Sequence, residues 1–371
     1  MILRRIEIDN FKNIHRARLD FSPKVNGLLG NNGMGKSNLL DAIYYLSFTR
    51  SFTGVPDSML TTRGEEFSLV KGAYDRRGID EELSLGLATG RRKSLKRRGK
   101  EYRRISEHIG MFPLVMIAPS DIDLIRGTGE ERRRWMDMVI SQGDSRYLDQ
   151  LIRYNHNLEQ RNRMLRDGTS DRNLYLAVET AMDMAASYIH QARQRWIDRL
   201  TPIFDRHYTA IAGSGENTGL NYSSALNTPG STLGDLLEES RRRDEAIRHT
   251  TTGIHRDDIE MTLGGMPVRR TGSQGQCKTF TIALRLAQYE FLREATGMKP
   301  MLLLDDIFDK LDASRVERIM EIAEHPDTGQ IFITDTNRTH LDEIMKRTGG
   351  DYRLWEVSDG TFSPLNNPED Q

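Results

Sequence analysis

The pattern of apolar and polar residues near the start of the chain predicts a strand, a loop and a helix. Residues 2–8 alternate loosely, as in a strand with one buried face. Val25–Leu29 is a short apolar run that ends at Gly30, and residues 37–46 then carry apolar side chains at helical spacing. The order of strand, glycine-rich loop and helix is the local arrangement in which proteins hold phosphate groups.

The next part of the chain predicts a sheet followed by helices. Residues 66–104 indicate strands and hairpins, with strands at 67–74 and 83–87, and 114–118 is a further short strand. Helical signals dominate from 121 to 249. One continuous apolar face there comprises Leu174, Val178, Ala181, Ala185, Ile189, Ala192, Trp196 and Leu200.

This helical segment is expected to form a packed bundle. A long coiled-coil arm needs many uninterrupted heptads, whereas Gly168, Pro202, a glycine-rich stretch and Pro229-Gly230 are expected to break the run. The α/β pattern returns after residue 250, with an amphipathic helix at 280–291 and buried strands at Met301–Leu304 and 330–334.

These patterns predict an α/β head in two pieces, residues 1–120 and 250–371, on either side of a mainly helical insertion at 121–249. Neither internal repeats nor low-complexity tracts interrupt this organisation.

Composition narrows the class of protein. The 371 residues carry a formal net charge of -1, so any nucleic-acid role must come from local clustering of charge. The single cysteine, Cys277, excludes a disulfide framework and a multi-cysteine zinc site, and it suits a reducing cytoplasm. The N-terminus has no signal-peptide pattern, and no apolar run approaches membrane-spanning length. We therefore expect a cytoplasmic protein with no membrane partner.

A phosphate-binding sequence follows the Val25–Leu29 run. It matches G-x-x-x-x-G-K-[ST] and consists of Gly30, Asn31, Asn32, Gly33, Met34, Gly35, Lys36 and Ser37. The glycines let backbone N–H groups turn toward phosphate oxygens, and the N-terminus of the next helix adds partial positive charge. Lys36 is expected to reach the β- and γ-phosphates of ATP, and the Ser37 hydroxyl to ligate Mg²⁺.

A pair of acids ends the Met301–Leu304 strand. In phosphate chemistry of this kind, Asp305 would hold Mg²⁺ and Asp306 would orient or deprotonate the attacking water. Taken alone, the pair is equally consistent with a solvated strand end, and the phosphate-binding sequence is what gives it chemical meaning.

A third motif, Ser273-Gln274-Gly275-Gln276, precedes a helix some thirty residues before the acid pair. It resembles the signature motif of ABC-type ATPases. The resemblance implies that these residues cap the γ-phosphate held by a second subunit, through N–H groups and the helix dipole. The simpler alternative is an ordinary helix N-cap by Ser273.

Two later segments extend this resemblance. Leu311-Asp312 matches the D-loop of ABC-type ATPases, which places Asp312 at the nucleotide. Residues 331–334 match the next core strand, and Thr334-Asp335-Thr336 stands where many ABC proteins have a switch histidine.

The resemblance narrows to the RecF family of bacterial DNA replication and repair proteins, and it covers nearly the whole chain. The segments that carry it are Asn10-Phe11-Lys12-Asn13, Arg50-Ser51-Phe52, Pro119-Ser120-Asp121, Arg132-Arg133-Arg134 and Gly253-Ile254-His255-Arg256-Asp257-Asp258. RecF proteins resemble SMC heads without the long coiled-coil arm and zinc hook, which fits the short insertion and single cysteine here.

Membership of that family would imply an ATP-dependent DNA-binding homodimer with two ATP molecules between its heads. Such a dimer would hydrolyse ATP slowly and help recombination mediator proteins to load recombinase at single-stranded gaps, in replication, repair and the SOS response.

The sequence departs from the family pattern at three places. Ile254 replaces a frequent proline, no glutamine follows the 114–118 strand so Ser120 or Asp121 would serve there, and Asp306 replaces the usual glutamate. The shorter Asp306 side chain predicts slow turnover.

One segment is a candidate DNA contact. Residues 91–104 contain nine basic residues and one acid. The candidates are Arg91, Arg92, Lys93, Lys96, Arg97 and Arg98. With little aromatic interleaving, they favour contact with backbone phosphates over base stacking. The alternative is that residues 91–104 form a solvated basic hairpin without a partner. A second basic group consists of Arg126 and Arg132–Arg134, and it could pair with acids or with nucleotide instead.

Two other functions compete with the DNA-binding dimer. A P-loop kinase acting on a small molecule needs no signature motif and should tolerate Ser273→Arg. A nucleotide-stabilised protein scaffold should function normally when Asp306→Asn blocks hydrolysis.

Overall fold

The computed structural model describes residues 1–213, 215–307, 321, 325, 328–339, 341–342 and 351–365. The chain forms two compact units. The first comprises Met1–Ser120 with Gln288–Gln371, and the second comprises Asp121–Ala287. In the described part of the chain, no helix combines the length and apolarity needed to cross a membrane.

The first unit contains an antiparallel sheet of six strands. In spatial order these are β2 (Ile14–Asp20), β1 (Ile2–Phe11), β4 (Phe67–Arg76), β5 (Ile79–Ala88), β6 (Ser94–Arg97) and β7 (Lys100–Glu101). The β1–β2 register runs from Arg5 opposite Asp20 to Phe11 opposite Ile14. The structure thus contains the strands and hairpins that the sequence predicts over 66–104. Alternate residues of these strands, such as Val70 and Leu83, are buried on one face of the sheet, which accounts for the alternating sequence pattern.

A second, mostly parallel sheet carries the ends of the motif strands. Its spatial order is β15 (Thr361–Leu365), β14 (Tyr352–Ser358), β3 (Val25–Leu29), β13 (Ile331–Asp335), β12 (Met301–Leu304) and β8 (Leu114–Ile117). Among the strands that the structure describes in this sheet, only β15, at the edge, pairs antiparallel. Strands β8, β12 and β13 are buried throughout, which explains their continuous apolar sequences. Leu29 lies beside Asp335 and Leu304 beside Ile333, so the carboxyl ends of β3, β13 and β12 meet at one edge.

Helix α1 (Lys36–Phe48) packs against strands of both sheets. Nearly all of its residues are buried, including Leu39, Leu40, Ile43 and Leu46. A helix that is buried on nearly every side needs no polar face, and this one begins at Lys36, within the phosphate-binding sequence.

The second unit is mainly helical with a small antiparallel sheet. Its helices are α2 (Asp123–Arg126), α3 (Gly129–Gly143), α4 (Ser145–Asp167), α5 (Arg172–Ala212), α6 (Leu233–Ile247) and α7 (Val268–Thr271), and α8 (Gln274–Thr296) contains the unit boundary. Its strands are β9 (Thr218–Ser223), β10 (Asp258–Leu263) and β11 (Met266–Pro267). Because β9 pairs with β10, the unit continues past residue 249, where the sequence placed the end of the insertion.

Helix α5 differs from expectation in two ways. It runs through Pro202 without ending there, and Leu174, at the start of the expected apolar face, is 51% exposed. Residues on both sides of the proline, such as Leu200 and Phe204, are fully buried, and the Phe204 ring lies 4.6 Å from the Phe280 ring. Packing on both flanks therefore maintains the helix despite the hydrogen bond that proline cannot donate.

Candidate nucleotide site

The phosphate-binding loop needs its glycines for conformation and for space. Gly33 and Gly35 have φ values of 83° and 112°, in the region that favours glycine. A Cβ atom at Gly30 would lie 2.4 Å from the Val357 carbonyl oxygen. Substitution at any of the three would therefore distort the loop.

Two neighbouring turns brace this loop. The Asn13 side chain, from the turn between β1 and β2, accepts a 2.7 Å hydrogen bond from Asn38 Nδ2 and lies against Gly35. Gly360, between β14 and β15, donates its N–H to the Met34 carbonyl at 2.8 Å. Asn31, Asn32 and Gly33 remain exposed at the tip of the loop. Gly35 is the N-cap of α1 and makes no side-chain cap, so the first-turn N–H groups suit an anion.

Lys36 lies inside the loop that precedes it. Its side chain is 3% exposed, and Nζ donates to the carbonyl oxygens of Gly30 at 2.7 Å and Asn31 at 3.2 Å. The Asp306 carboxylate lies 3.8 Å away. The cation is thus fixed beneath the loop, where phosphate oxygens would meet it.

The predicted metal ligands come together at the strand ends. Ser37 Oγ donates to Asp305 Oδ1 at 2.8 Å, and Thr334 Oγ1 lies 2.9 Å from the same oxygen. Burial raises the pKa of Asp305 above its usual value, and the hydrogen bonds from the two hydroxyls partly oppose that rise. A nearby cation would favour the charged carboxylate.

The residues fit Mg²⁺ bound together with a nucleotide. Magnesium in such sites takes one or two protein oxygens and completes its shell with phosphate oxygens and water. Ser37 and Asp305 supply two oxygens. No group of three or more His, Cys, Asp or Glu side chains elsewhere in the described residues has metal-binding geometry. Asp312, expected at the nucleotide, lies outside the described residues.

Asp306 has an unusual backbone. Its φ is 44°, in the left-handed region, and its N–H donates to Thr334 Oγ1 at 2.8 Å. Thr334 therefore contacts both acids of the pair. The sequence places Thr334 at the end of this strand but does not predict its contacts with the two acids. The signal in the sequence was an isolated hydroxyl residue at the end of a buried strand.

The signature residues lie in the second unit, at the start of α8. The Ser273 hydroxyl accepts from Gln276 N at 3.1 Å, while Gln276 Oε1 accepts from Ser273 N at 2.8 Å, which forms a capping box. Gln276 Nε2 also donates to Glu216 at 2.5 Å. Ser273 and Gln274 are exposed and Gly275 is partly exposed. The N-cap interpretation is thus correct for the Ser273 side chain, and the exposed helix start still suits an anion.

Asp41, on α1, was not anticipated. Its buried carboxylate accepts from Lys12 Nζ, Ser51 Oγ and Phe52 N, each at 2.6 Å. Two segments quoted for the family resemblance, at 10–13 and 50–52, are therefore joined through this one group. A lone acid among the apolar residues of α1 was the signal in the sequence.

The remaining family segments form a buried charge network in the second unit. Arg132 Nε and Asp258 Oδ1 are 2.6 Å apart, and the fully buried Arg193 donates to Asp257 at 2.7 Å and Asp137 at 2.8 Å. Arg132 accordingly binds an acid and is not available to DNA. Asp121, suggested for the missing glutamine, is buried and pairs with Arg285 at 2.5 Å.

The basic hairpin is less free than its sequence suggested. Arg97 and Arg98 both bind the buried Glu81, each with an Nε–Oε2 distance of 2.9 Å. Lys93 donates to the Thr49 carbonyl at 2.5 Å and pairs with Asp57 at 2.6 Å. These three cations are therefore anchored within the first unit.

The other three candidates in the hairpin remain exposed. Arg91, Arg92 and Lys96 make no ion pair with any residue that the structure describes. The Lys93 contact with Thr49 ties the hairpin to the end of α1.

Comparison with known proteins gives a consistent result. The profile of the RecF/RecN/SMC N-terminal domain family matches residues 2–353. A DNA replication and repair protein RecF from Parabacteroides distasonis is 48% identical over 98% of this chain and 100% of that protein. The RecF of Bacteroides fragilis is 45% identical over all of both chains.

Solved structures extend the likeness to the fold. A structure of the recombination mediator protein RecF with ATP, in the RecFOR pathway, has a TM-score of 0.89 and 29% identity, covering 98% of each chain. An Smc head domain from Pyrococcus furiosus has a TM-score of 0.58 and 16% identity over 100% of this chain and 97% of that one, a likeness of fold alone. These findings confirm the predicted ABC-type α/β head with a mainly helical insertion, and the chain belongs to the RecF family.

Proposed function

We propose that this chain is an ATP-dependent DNA-binding protein of replication and recombinational repair. Two copies bind two Mg-ATP molecules between them and grip single-stranded or gapped DNA. They assist recombination mediator proteins in loading recombinase and in the SOS response. Slow hydrolysis of ATP resets the dimer, and no DNA-modifying activity is proposed.

One observation carries the nucleotide part of this proposal: Lys36, Ser37, Asp305 and Asp306 converge at the start of α1. Lys36 and the first-turn N–H groups would hold the phosphates. Ser37 and Asp305 would hold Mg²⁺, which neutralises developing charge during phosphoryl transfer. Asp306 accepts a proton from, or orients, the attacking water.

ATP binding is tested by Lys36→Met against Lys24→Met, which removes an exposed lysine from the same unit. Loss of one charge-assisted contact should weaken ATP affinity about 10- to 100-fold in a calorimetric titration. Lys24→Met should bind as the parent does. Equal affinity in all three proteins would contradict the assignment of Lys36.

The shared site is tested at Ser273 with two substitutions that both preserve the helix cap. Aspartate and asparagine are good N-cap residues, but only aspartate places a negative charge where a γ-phosphate would lie. Light scattering should show ATP-driven dimers for the parent and Ser273→Asn and monomers for Ser273→Asp. A parent mass that is indifferent to ATP would exclude the dimer.

DNA binding is tested on the exposed arginines. Replacing Arg91 and Arg92 together by glutamine should reduce the slope of log affinity against log salt by about 1 to 2. The control replaces Arg16 and Arg18, exposed arginines that lie against Asp9 and Glu7 on the same sheet. If the slope of log affinity against log salt falls equally in the two double variants, a specific role of the hairpin in DNA binding is excluded.

The competing functions give different outcomes. A nucleotide-stabilised scaffold retains its activity in cells with Asp306→Asn, whereas a dimer reset by hydrolysis does not. A small-molecule kinase retains turnover with Ser273→Asp and shows no response to DNA.

A further inference from the structure

The hydroxyl of Thr334 lies between the two acids of the candidate nucleotide site. Thr334 is fully buried at the end of β13, and its hydroxyl lies within hydrogen-bonding distance of both Asp305 and Asp306. We propose that Thr334 is a positioning residue that fixes the geometry of both carboxylates, and that it thereby sets the rate of ATP hydrolysis. This inference rests on the proposed ATPase function and deepens it.

The hydrogen-bond pattern assigns a direction to each contact. The Asp306 N–H donates to Thr334 Oγ1 at 2.8 Å, so the hydroxyl oxygen is an acceptor there. Its single proton has two carboxylates in reach, Asp305 Oδ1 at 2.9 Å and Asp306 Oδ1 at 3.3 Å. The shorter distance favours donation to Asp305. One hydroxyl thus accepts from one acid's backbone and donates to the other acid's side chain.

The contact with Asp306 matters because of its backbone. A φ of 44° is unfavourable for a residue with a Cβ atom and persists only where neighbouring contacts hold it. The Thr334 oxygen supplies such a contact. The Asp306 carboxylate then lies 3.8 Å from Lys36 Nζ.

The contact with Asp305 concerns the metal. Asp305 Oδ1 accepts hydrogen bonds from the hydroxyl groups of both Ser37 and Thr334. Ser37 is itself expected to turn to Mg²⁺, and Thr334 would then hold the orientation of the carboxylate. Valine at 334 has the same shape and lacks both hydrogen-bonding functions, whereas serine keeps them.

The test compares Thr334→Val, Thr334→Ser and Thr62→Val. Thr62 is a buried threonine of the same unit whose hydroxyl has no hydrogen-bond partner among the described residues, so its loss should change nothing. Three quantities are measured: kcat for ATP hydrolysis, ATP affinity without metal, and the Mg²⁺ concentration that gives half of its effect on ATP affinity.

The expected result is a separation of these quantities. Thr334→Val should lower kcat about 10- to 100-fold and raise the half-effective Mg²⁺ concentration, with metal-free ATP affinity within about twofold of the parent. Thr334→Ser should recover most of both losses. A Thr334→Val variant with the kcat and Mg²⁺ dependence of the parent would overturn the inference. A Thr334→Val variant that loses both metal-free ATP affinity and thermal stability would also overturn it, because such a loss indicates a packing role.

Failure of the wider proposal has a different signature. If the parent binds Mg-ATP without hydrolysing it, the hydrolytic part of the proposed function is wrong. The Mg²⁺ dependence of ATP affinity then decides the role of Thr334: a shift in the valine variant alone supports it, and equal values in all variants overturn it.

Discussion

We expect His108 to make the stability of the first unit depend on pH. It is fully buried, with Nε2 2.6 Å from the Leu46 carbonyl of α1 and Nδ1 3.2 Å from the Tyr102 hydroxyl. A neutral ring that donates from Nε2 and accepts at Nδ1 satisfies both partners. Burial lowers the pKa of His108 from 6.5 to about 4; the Leu46 carbonyl opposes this shift and the charge of Arg97 adds to it.

The sign follows from where protons bind. Between pH 6.5 and pH 4 the unfolded chain holds a proton on this histidine that the folded chain does not, so unfolding is favoured as the pH falls through that window. The gap between the two pKa values corresponds to about 3 kcal/mol at 1.36 kcal/mol per unit. About 2 kcal/mol of this is lost between pH 7 and pH 5.

The measurement is urea unfolding at pH 7 and pH 5 by tryptophan fluorescence. Replacing Trp135 and Trp196 by phenylalanine leaves Trp355 as the reporter of the first unit. In that background His108→Gln, whose amide can still donate to Leu46, should lose about 2 kcal/mol less than the parent on acidification. The control is His249→Gln, at an exposed histidine, which should behave as the parent does. If His108→Gln and the parent show the same pH dependence, the reasoning is wrong.

Three further substitutions test the packing described above. Asp41→Asn should lower the free energy of unfolding by about 3 kcal/mol, because it breaks a buried ion pair with Lys12. It should also speed the hydrogen exchange of residues 50–54, and unchanged exchange would contradict the role of Asp41 in joining segments 10–13 and 50–52. Pro202→Ala should raise stability by about 1 to 2 kcal/mol by restoring a helical N–H, and a loss of stability would mean that the proline ring packs usefully. Arg161→Met should cost about 3 to 5 kcal/mol, because it leaves Asp244 as a buried charge without its cation and removes one of the two arginines that bind Glu179. A cost under about 1 kcal/mol would refute this.

The sequence predicted the strands, loop and helix around the candidate nucleotide site because their signals are local. A buried strand such as Val25–Leu29 has a continuous apolar sequence, and the glycine spacing of 30–37 is required by backbone geometry that neighbours cannot supply. Met301–Leu304 was located to the residue for the same reason. The convergence of Ser37 with Asp305 then follows from parallel strands that end at one edge.

The features that sequence reasoning missed depend on distant partners. Arg97 and Arg98 belong to a basic run, yet Glu81, sixteen and seventeen residues earlier, binds both of them through the β5–β6 register. Pro202 was expected to end a helix because propensity is a local quantity, whereas packing of Leu200 and Phe204 overrides it. Neither partner set can be read from spacing alone.

Slow turnover, expected because aspartate replaces glutamate at 306, has a second physical basis in the folded chain. The backbone there is left-handed, a conformation that aspartate tolerates better than most residues with a side chain. Its N–H is bound to Thr334, and its carboxylate is held 3.8 Å from Lys36. A carboxylate that is both short and drawn toward a lysine is poorly placed to align water on the far side of a γ-phosphate. The contact with Lys36, and not the one with Thr334, therefore limits turnover. Slow turnover is what the proposed dimer requires, because ATP between two subunits would have to persist to hold them together.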